Sequence, residues 1–187
     1  MSQHTPSESE QAIGATKAWV DAVVVGLNFC PFAKREVVAN SIRYEYLHKY
    51  QKSHLKQFLE REIQLLNANT DIETTLLIFG TGLEGFYDYL DALDIADEWI
   101  DNSGHRGTYQ IASFHPDYIF EGELSNSPAN YTNRSPFPMF HLLRESSLEK
   151  AIHAHKNPEQ IPIDNIRMAT SLGEDKLKAL LRACLAQ

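Results

Sequence analysis

The sequence predicts an α/β domain, a small mixed sheet of at least three strands flanked by helices. Two βα units follow one another along the chain. In each, a strand-length run of alternating or continuous apolar residues leads into a segment with apolar residues at helical spacing. That order implies a parallel or mixed sheet covered by helices. The 187 residues are 43% apolar, enough for one core, and no segment approaches the ~18 apolar residues of a membrane helix.

The elements follow in chain order. Residues 1–10 are polar and read as a frayed tail, so the domain spans 11–187. Ile13, Val20, Val23, Val24 and Leu27 mark a helix over about 10–27, broken by Asn28-Phe29-Cys30-Pro31. Pro31 is suited to open a short second helix to Ala39. Ile42 to His48 alternates and is rich in strand formers. Leu55, Phe58, Leu59, Ile63 and Leu66 form a helical stripe, and Thr74 to Phe79 reads as a buried strand. Phe86, Leu90, Leu93, Ala96 and Ile100 mark another helix, and Tyr109 to Phe114 a third strand. Asp117 to Pro138 lacks a clear element, and a loop of that length inside a domain is often functional. A short helix from Pro138 to about Glu145 is expected next. Ser146 with Glu149, and Ser171 with Glu174, carry the capping-box pattern that opens two further helices, the last over about 172–186.

Composition narrows the function classes. Net charge is −8, which argues against nucleic-acid and anionic-membrane partners. Two cysteines, Cys30 and Cys184, are too few for a disulfide framework and suit a reducing, cytoplasmic compartment. The first ten residues lack the basic start and apolar stretch of a signal peptide.

Four features carry candidate chemistry. Cys30 precedes the proline-started helix, where the helix dipole together with Lys34 and Arg35 would favour a nucleophilic thiolate. A Cys30 buried between Phe29 and Phe32 is the plainer alternative. Gly80-Thr-Gly-Leu-Glu-Gly85 follows a strand and precedes a helix, as a dinucleotide fingerprint would, but no acidic residue ends the next strand. A glycine-rich turn is therefore expected. His115 ends the third strand, where ligands of open α/β sheets bind. It is either a base or a histidine bonded to a loop carbonyl. The segment from Asn130 to His141 concentrates amide, hydroxyl, guanidinium and imidazole groups. These either orient an anionic or amide-like ligand or satisfy the loop's own backbone. His141 and Arg144, three apart, would share one side of the expected helix.

These residues also carry a resemblance. Asn28-Phe-Cys-Pro-Phe-Ala33, Thr75-Leu-Leu-Ile78, Gly107 to Tyr118, Asn130-Tyr-Thr-Asn-Arg-Ser-Pro136 and His141-Leu-Leu-Arg-Glu145 resemble the bacterial family Domain of Unknown Function 1415 over nearly the whole chain after residue 10. The resemblance implies no activity. It implies that Cys30, His115, Asn130, Asn133, Arg134, His141 and Arg144 occupy shared motif positions.

The leading expectation is a cysteine-dependent enzyme acting on a small anionic or amide-containing molecule. Cys30 would be the nucleophile and His115 or His141 the base. Asn130 or Asn133 would orient the substrate, with Arg134 as a clamp and His141 and Arg144 lining the site. Two alternatives stand beside it. One is a metal-binding protein using Cys30, His115 and His141, and the other a non-catalytic ligand-binding or interaction module. In the second, Cys30 would be buried and distant from His115. No cofactor is assigned, and the oligomeric state is left open.

Overall fold

The computed structural model describes residues 6–186. The first helix, α1 (Glu8–Trp19), starts inside the stretch expected to fray. Ser7 Oγ accepts the Glu10 N–H at 3.2 Å, and the Glu10 carboxylate accepts the Ser7 N–H at 2.8 Å, closing a capping box. The remainder of the expected tail, residues 1–5, lies outside the described residues. α1 does not run on as a regular helix to residue 27. It passes into a π-helical turn, Val20–Val25, and the chain then reverses at Asn28, whose φ of 58° is left-handed.

After α2 (Ala33–Ala39) come β1 (Ile42–Lys49), α3 (Lys52–Ala68), β2 (Thr74–Thr81), α4 (Phe86–Asn102) and β3 (Tyr109–Phe114), close to the expected spans. The segment expected as a helix from Pro138 is instead a strand, β4 (Met139–Arg144). It fills the slot between β2 and β3, antiparallel to both, in a sheet of order β1-β2-β4-β3 in which β1 and β2 are parallel. Its neighbours are apolar on both faces of the sheet. A strand buried on both sides has no alternation to betray it, and its Leu, Met and Arg are good helix formers. Without β4, β2 and β3 would have no hydrogen-bonded link.

Three helices close the chain, α5 (Glu145–Ala154), α6 (Ile161–Leu172) and α7 (Glu174–Leu185). Neither expected capping box forms. α5 starts two residues early with Arg144 at its cap, and α7 starts after Gly173 (φ 76°), while Ser171 Oγ donates back to the Met168 carbonyl. α6, opened by Pro162, has no counterpart in the sequence reading. Among the described residues no helix is long and apolar enough to cross a membrane.

Each face of the sheet buries a separate apolar layer. On one face Leu77, Phe79, Tyr109, Phe140 and Leu142 pack against α3 and α4. On the other, Leu76, Ile78, Met139 and Phe114 pack against α1, the π turn and α7. Tyr89 of α4 fastens the carboxyl end of β3 to the start of β4. Its hydroxyl donates to the Met139 carbonyl at 2.8 Å and accepts the Phe114 N–H at 3.0 Å.

Candidate functional site

The sheet separates the two histidines proposed as bases. Residues 109, 111 and 115 of the third strand and its extension face α4. His115 there is fully buried, with ring centroids 5.3 Å from Phe86 and 5.0 Å from Tyr89. Its Nε2 lies 2.9 Å from the Leu83 carbonyl, and its Nδ1 accepts the Asp117 N–H at 3.0 Å. Both nitrogens are thus engaged with backbone, and burial pushes its pKa down. His141, at the centre of β4, is paired across the sheet with Leu76 and Ala112 and faces the opposite layer.

On that opposite face lies a cavity of about 250 Å³. Its floor is the sheet, with Leu76, Ala112 and His141. Its walls are Val20 and Val24 of the π turn, Cys30, Phe32, and Leu148 and Ala151 of α5. The lining is overwhelmingly apolar, and Ala112, beside His141, leaves room where a larger side chain would fill the space. His141 Nε2 is buried there without a hydrogen-bond partner, and desolvation pushes the imidazole pKa down to about 4. The ring is therefore neutral at neutral pH. Glu73, at the end of the cavity beside Arg144, also carries a buried oxygen without a partner. Unpartnered buried polar atoms are costly and concentrate where function requires them.

The π turn positions Cys30. Its wider winding lets one carbonyl, that of Val24, accept from both Phe29 N–H (2.9 Å) and Cys30 N–H (3.4 Å). π turns are frequent at functional sites, and here Val20 and Val24 line the cavity themselves. The expected thiolate is not what this setting favours. α2 starts at Ala33, three residues beyond Cys30, and has seven residues. Lys34 and Arg35 are exposed, and Arg35 pairs with Glu36 at 3.1 Å. Burial raises the Cys30 pKa, outweighing the N–H groups of Phe32 and Ala33. Burial likewise raises that of Cys184, whose Sγ lies 3.2 Å from the Leu180 carbonyl.

A second cavity of about 520 Å³ adjoins the first. Val24, Cys30 and Phe114 line both, so they form the wall between the two cavities. The second is bounded by Phe29, Phe120, Glu121, Glu123, Asn133 and Asn165, among others.

The polar loop residues hold the loop in place. It folds back over the carboxyl end of β3, with the His115 N–H donating to the Asn133 carbonyl at 3.2 Å and Asn133 Nδ2 to the Ser113 carbonyl at 3.1 Å. Asn130, fully buried, accepts the Phe120 N–H at 3.0 Å and donates to the Leu124 carbonyl at 2.8 Å. Arg134 donates to the carbonyls of Tyr118 (3.2 Å) and Ser125 (2.6 Å), with its guanidinium 4.6 Å from the Tyr131 ring centroid. Arg144 and His141 do not share a helix side, since both lie on β4 and face opposite layers. Arg144 donates to Tyr109 Oη (2.9 Å) and to the carbonyls of Ile72 (3.2 Å) and Leu66.

Gly80 to Gly85 is a packed turn. A Cβ on Gly80 would meet Tyr46 Oη at 2.3 Å, and Gly82 has φ 93°. The Glu84 carboxylate accepts the Gly82 N–H at 2.9 Å, occupying from within the chain the donor a phosphate would use. Cys30, His115 and His141 are not assembled as ligands. Among the described residues no group of three or more His, Cys, Asp or Glu is arranged to hold a metal ion.

Of the residues that line this cavity, sequence reasoning named Cys30, His141 and Arg144 but not Glu73 or the apolar walls. Only the chain's return through β4 brings these to one place. A family model described as "Protein of unknown function (DUF1415)" matches residues 11–179. No curated protein and no solved structure matches the chain.

Proposed function

The chain belongs to the DUF1415 family of proteins of unknown function, and we propose that it binds a small, mainly apolar molecule in the cavity floored by His141. The observation that carries this reading is His141, a neutral imidazole whose Nε2 is buried and unpartnered, set in the floor of a mainly apolar cavity whose lining also includes Glu36, Glu73, Arg144 and Ser147. An apolar residue would fill that position at no polar cost. A polar one is explained by a ligand group that it meets. An apolar cavity of ~150 Å³ accommodates benzene, so about 250 Å³ corresponds to a body of about ten non-hydrogen atoms. At about 0.5 kcal/mol per atom, such a ligand binds with Kd near ~0.2 mM.

The test is titration with naphthylmethanol, followed by the methyl resonances of Ala112 and Ala151 and the indole N–H of Trp19, all on the cavity wall. Saturable shifts are expected in the native protein, and none in Ala151→Phe, whose ring would fill the space. Shifts that persist unchanged in Ala151→Phe, or no shifts at all, would overturn the reading.

A second reading, thiol-dependent chemistry on the bound molecule, is favoured by one observation: Cys30 and His141 line the same cavity. Cys30 is held as the thiol by burial. The thiol sulfur would add to one carbon of an electrophilic double bond in the bound molecule. The π pair of that bond shifts to its far atom, which takes up the thiol proton. His141, too weak a base to hold that proton at neutral pH, would act only as a hydrogen-bond acceptor. His115 and Arg134 support no step here, because neither lines this cavity and both are bonded to backbone carbonyls or amides elsewhere. Substrate turnover abolished by Cys30→Ser but unaffected by His115→Gln is the expected pattern.

A further inference from the structure

Building on the binding reading above, we propose that the bound molecule is uncharged and carries a hydroxyl group, alcohol or phenol, that hydrogen-bonds to the imidazole of His141 in the cavity floor.

His141 leaves both halves of its hydrogen-bonding capacity open. Among the described residues no hydrogen bond reaches either ring nitrogen, and the ring meets Phe114 with centroids 6.2 Å apart. The residue is part-buried and lines the cavity, so a ligand there can reach it. A neutral imidazole has one N–H and one lone pair. A hydroxyl both donates and accepts, so it answers either tautomer, whereas an ether or carbonyl only accepts and an ammonium only donates. Two other polar groups of the lining have no hydrogen left to give. Trp19 Nε1 spends its single hydrogen on the Arg134 carbonyl at 3.0 Å, and Thr74 Oγ1 spends its own on the Leu142 carbonyl.

The charges of the lining are balanced and lie away from His141. Glu36 pairs with Arg35 at 3.1 Å and accepts Ser41 Oγ at 2.6 Å. Glu73 and Arg144 flank the paired Thr74 and Leu143 at one end of the sheet, so a carboxylate and a guanidinium offset one another there. Leu76, the β2 partner of His141, is three residues from Glu73, roughly 10 Å along the strand direction. A balanced lining offers a charged ligand nothing to match its charge, and burying an unmatched ion is costly. An uncharged hydroxyl avoids that cost.

The experiment titrates the full chain and His141→Leu with naphthylmethanol and its hydrocarbon isostere ethylnaphthalene, read by the indole N–H of Trp19 in the cavity wall. The two probes differ in their transfer from water, but comparing their affinity ratio between the two proteins cancels that difference. The ratio of alcohol to hydrocarbon affinity is expected to fall about tenfold or more in His141→Leu, where the hydroxyl is left without a partner. A second readout needs no variant. In the native protein naphthylmethanol should shift the imidazole nitrogen resonances of His141, and ethylnaphthalene should leave them near their free values. Naphthylmethylamine and naphthoate should each bind more weakly than the alcohol at neutral pH. An unchanged ratio, or imidazole resonances that respond equally to both probes, overturns the hydroxyl assignment and leaves the binding reading standing. So does an amine or naphthoate that binds more tightly than the alcohol, which would move the polar contact to Glu73 or Arg144. If none of the four probes binds, both readings fall.

Discussion

Replacing His141 with Leu should make the protein more stable and unable to bind its ligand. His141 sits on the central strand between Leu76 and Ala112, its Nε2 buried without a partner. Leaving such a group unsatisfied costs about 1–3 kcal/mol. Leu has similar bulk and no polar atom. Near neutral pH the imidazole is uncharged in both folded and unfolded chains, so the gain there is the polar cost alone, about 1–2 kcal/mol. For a chain of this size that is a rise in Tm of about 2–8 °C. Lowering the pH enlarges it. The unfolded chain takes up a proton near pH ~6.5, whereas the folded chain refuses it until about pH 4. Native stability therefore falls as pH drops through that window, by about 3 kcal/mol at ~1.4 kcal/mol per pH unit. His141→Leu lacks this loss. Burial depresses His115 in the same direction, but that contribution is common to both proteins and cancels in the difference. Urea unfolding of the two proteins at several pH values between about 4 and 7.5 reads the gap directly. A variant less stable than the native protein by more than about 1 kcal/mol, or a gap that does not widen towards acid, would refute the reasoning. Either result would mean that the imidazole has a structural partner.

Three further outcomes are expected. Because burial raises the Cys30 thiol, iodoacetamide should label it slowly at neutral pH and faster only above pH ~9; an apparent pKa below ~8 in the labelling rate would contradict this. Arg134→Ala removes two charge-assisted hydrogen bonds and the contact with Tyr131, so it should cost about 2–4 kcal/mol in urea unfolding. Limited proteolysis should then cut first within residues 117–127; native-like stability and resistance would show that the loop is held by other groups. Tyr89→Phe strands the Phe114 N–H and the Met139 carbonyl, for a loss of about 2–3 kcal/mol. Faster amide exchange should localise to the ends of β3 and β4, and a loss spread evenly over the sheet would argue against a local clasp.

The elements that contact only one layer were legible in the chain. β1 alternates, and α3 and α4 carry one apolar stripe each, because a surface that meets water on one side must show its period in the sequence. Local chemistry was legible as well. Gly80 to Gly85 reads as a turn, and the amides of Asn130 and Asn133 read as groups able to satisfy a long loop. Tertiary structure alone decided the rest. β4 is apolar towards both layers, so its residues carry no period and their helix propensity pointed the wrong way. Only the vacant slot between β2 and β3, with its unpaired backbone donors and acceptors, makes that segment a strand. That one decision also builds the site. It turns His141 to one face and Arg144 to the other, sets His141 on Cys30's side of the sheet rather than with His115, and brings Glu73 to the same cavity. Likewise, proximity to a helix start suggested a thiolate at Cys30, but thiol ionisation depends on hydration. The hydration of Cys30 is set by Val24, Phe32 and Phe114, two of which join it only through the fold.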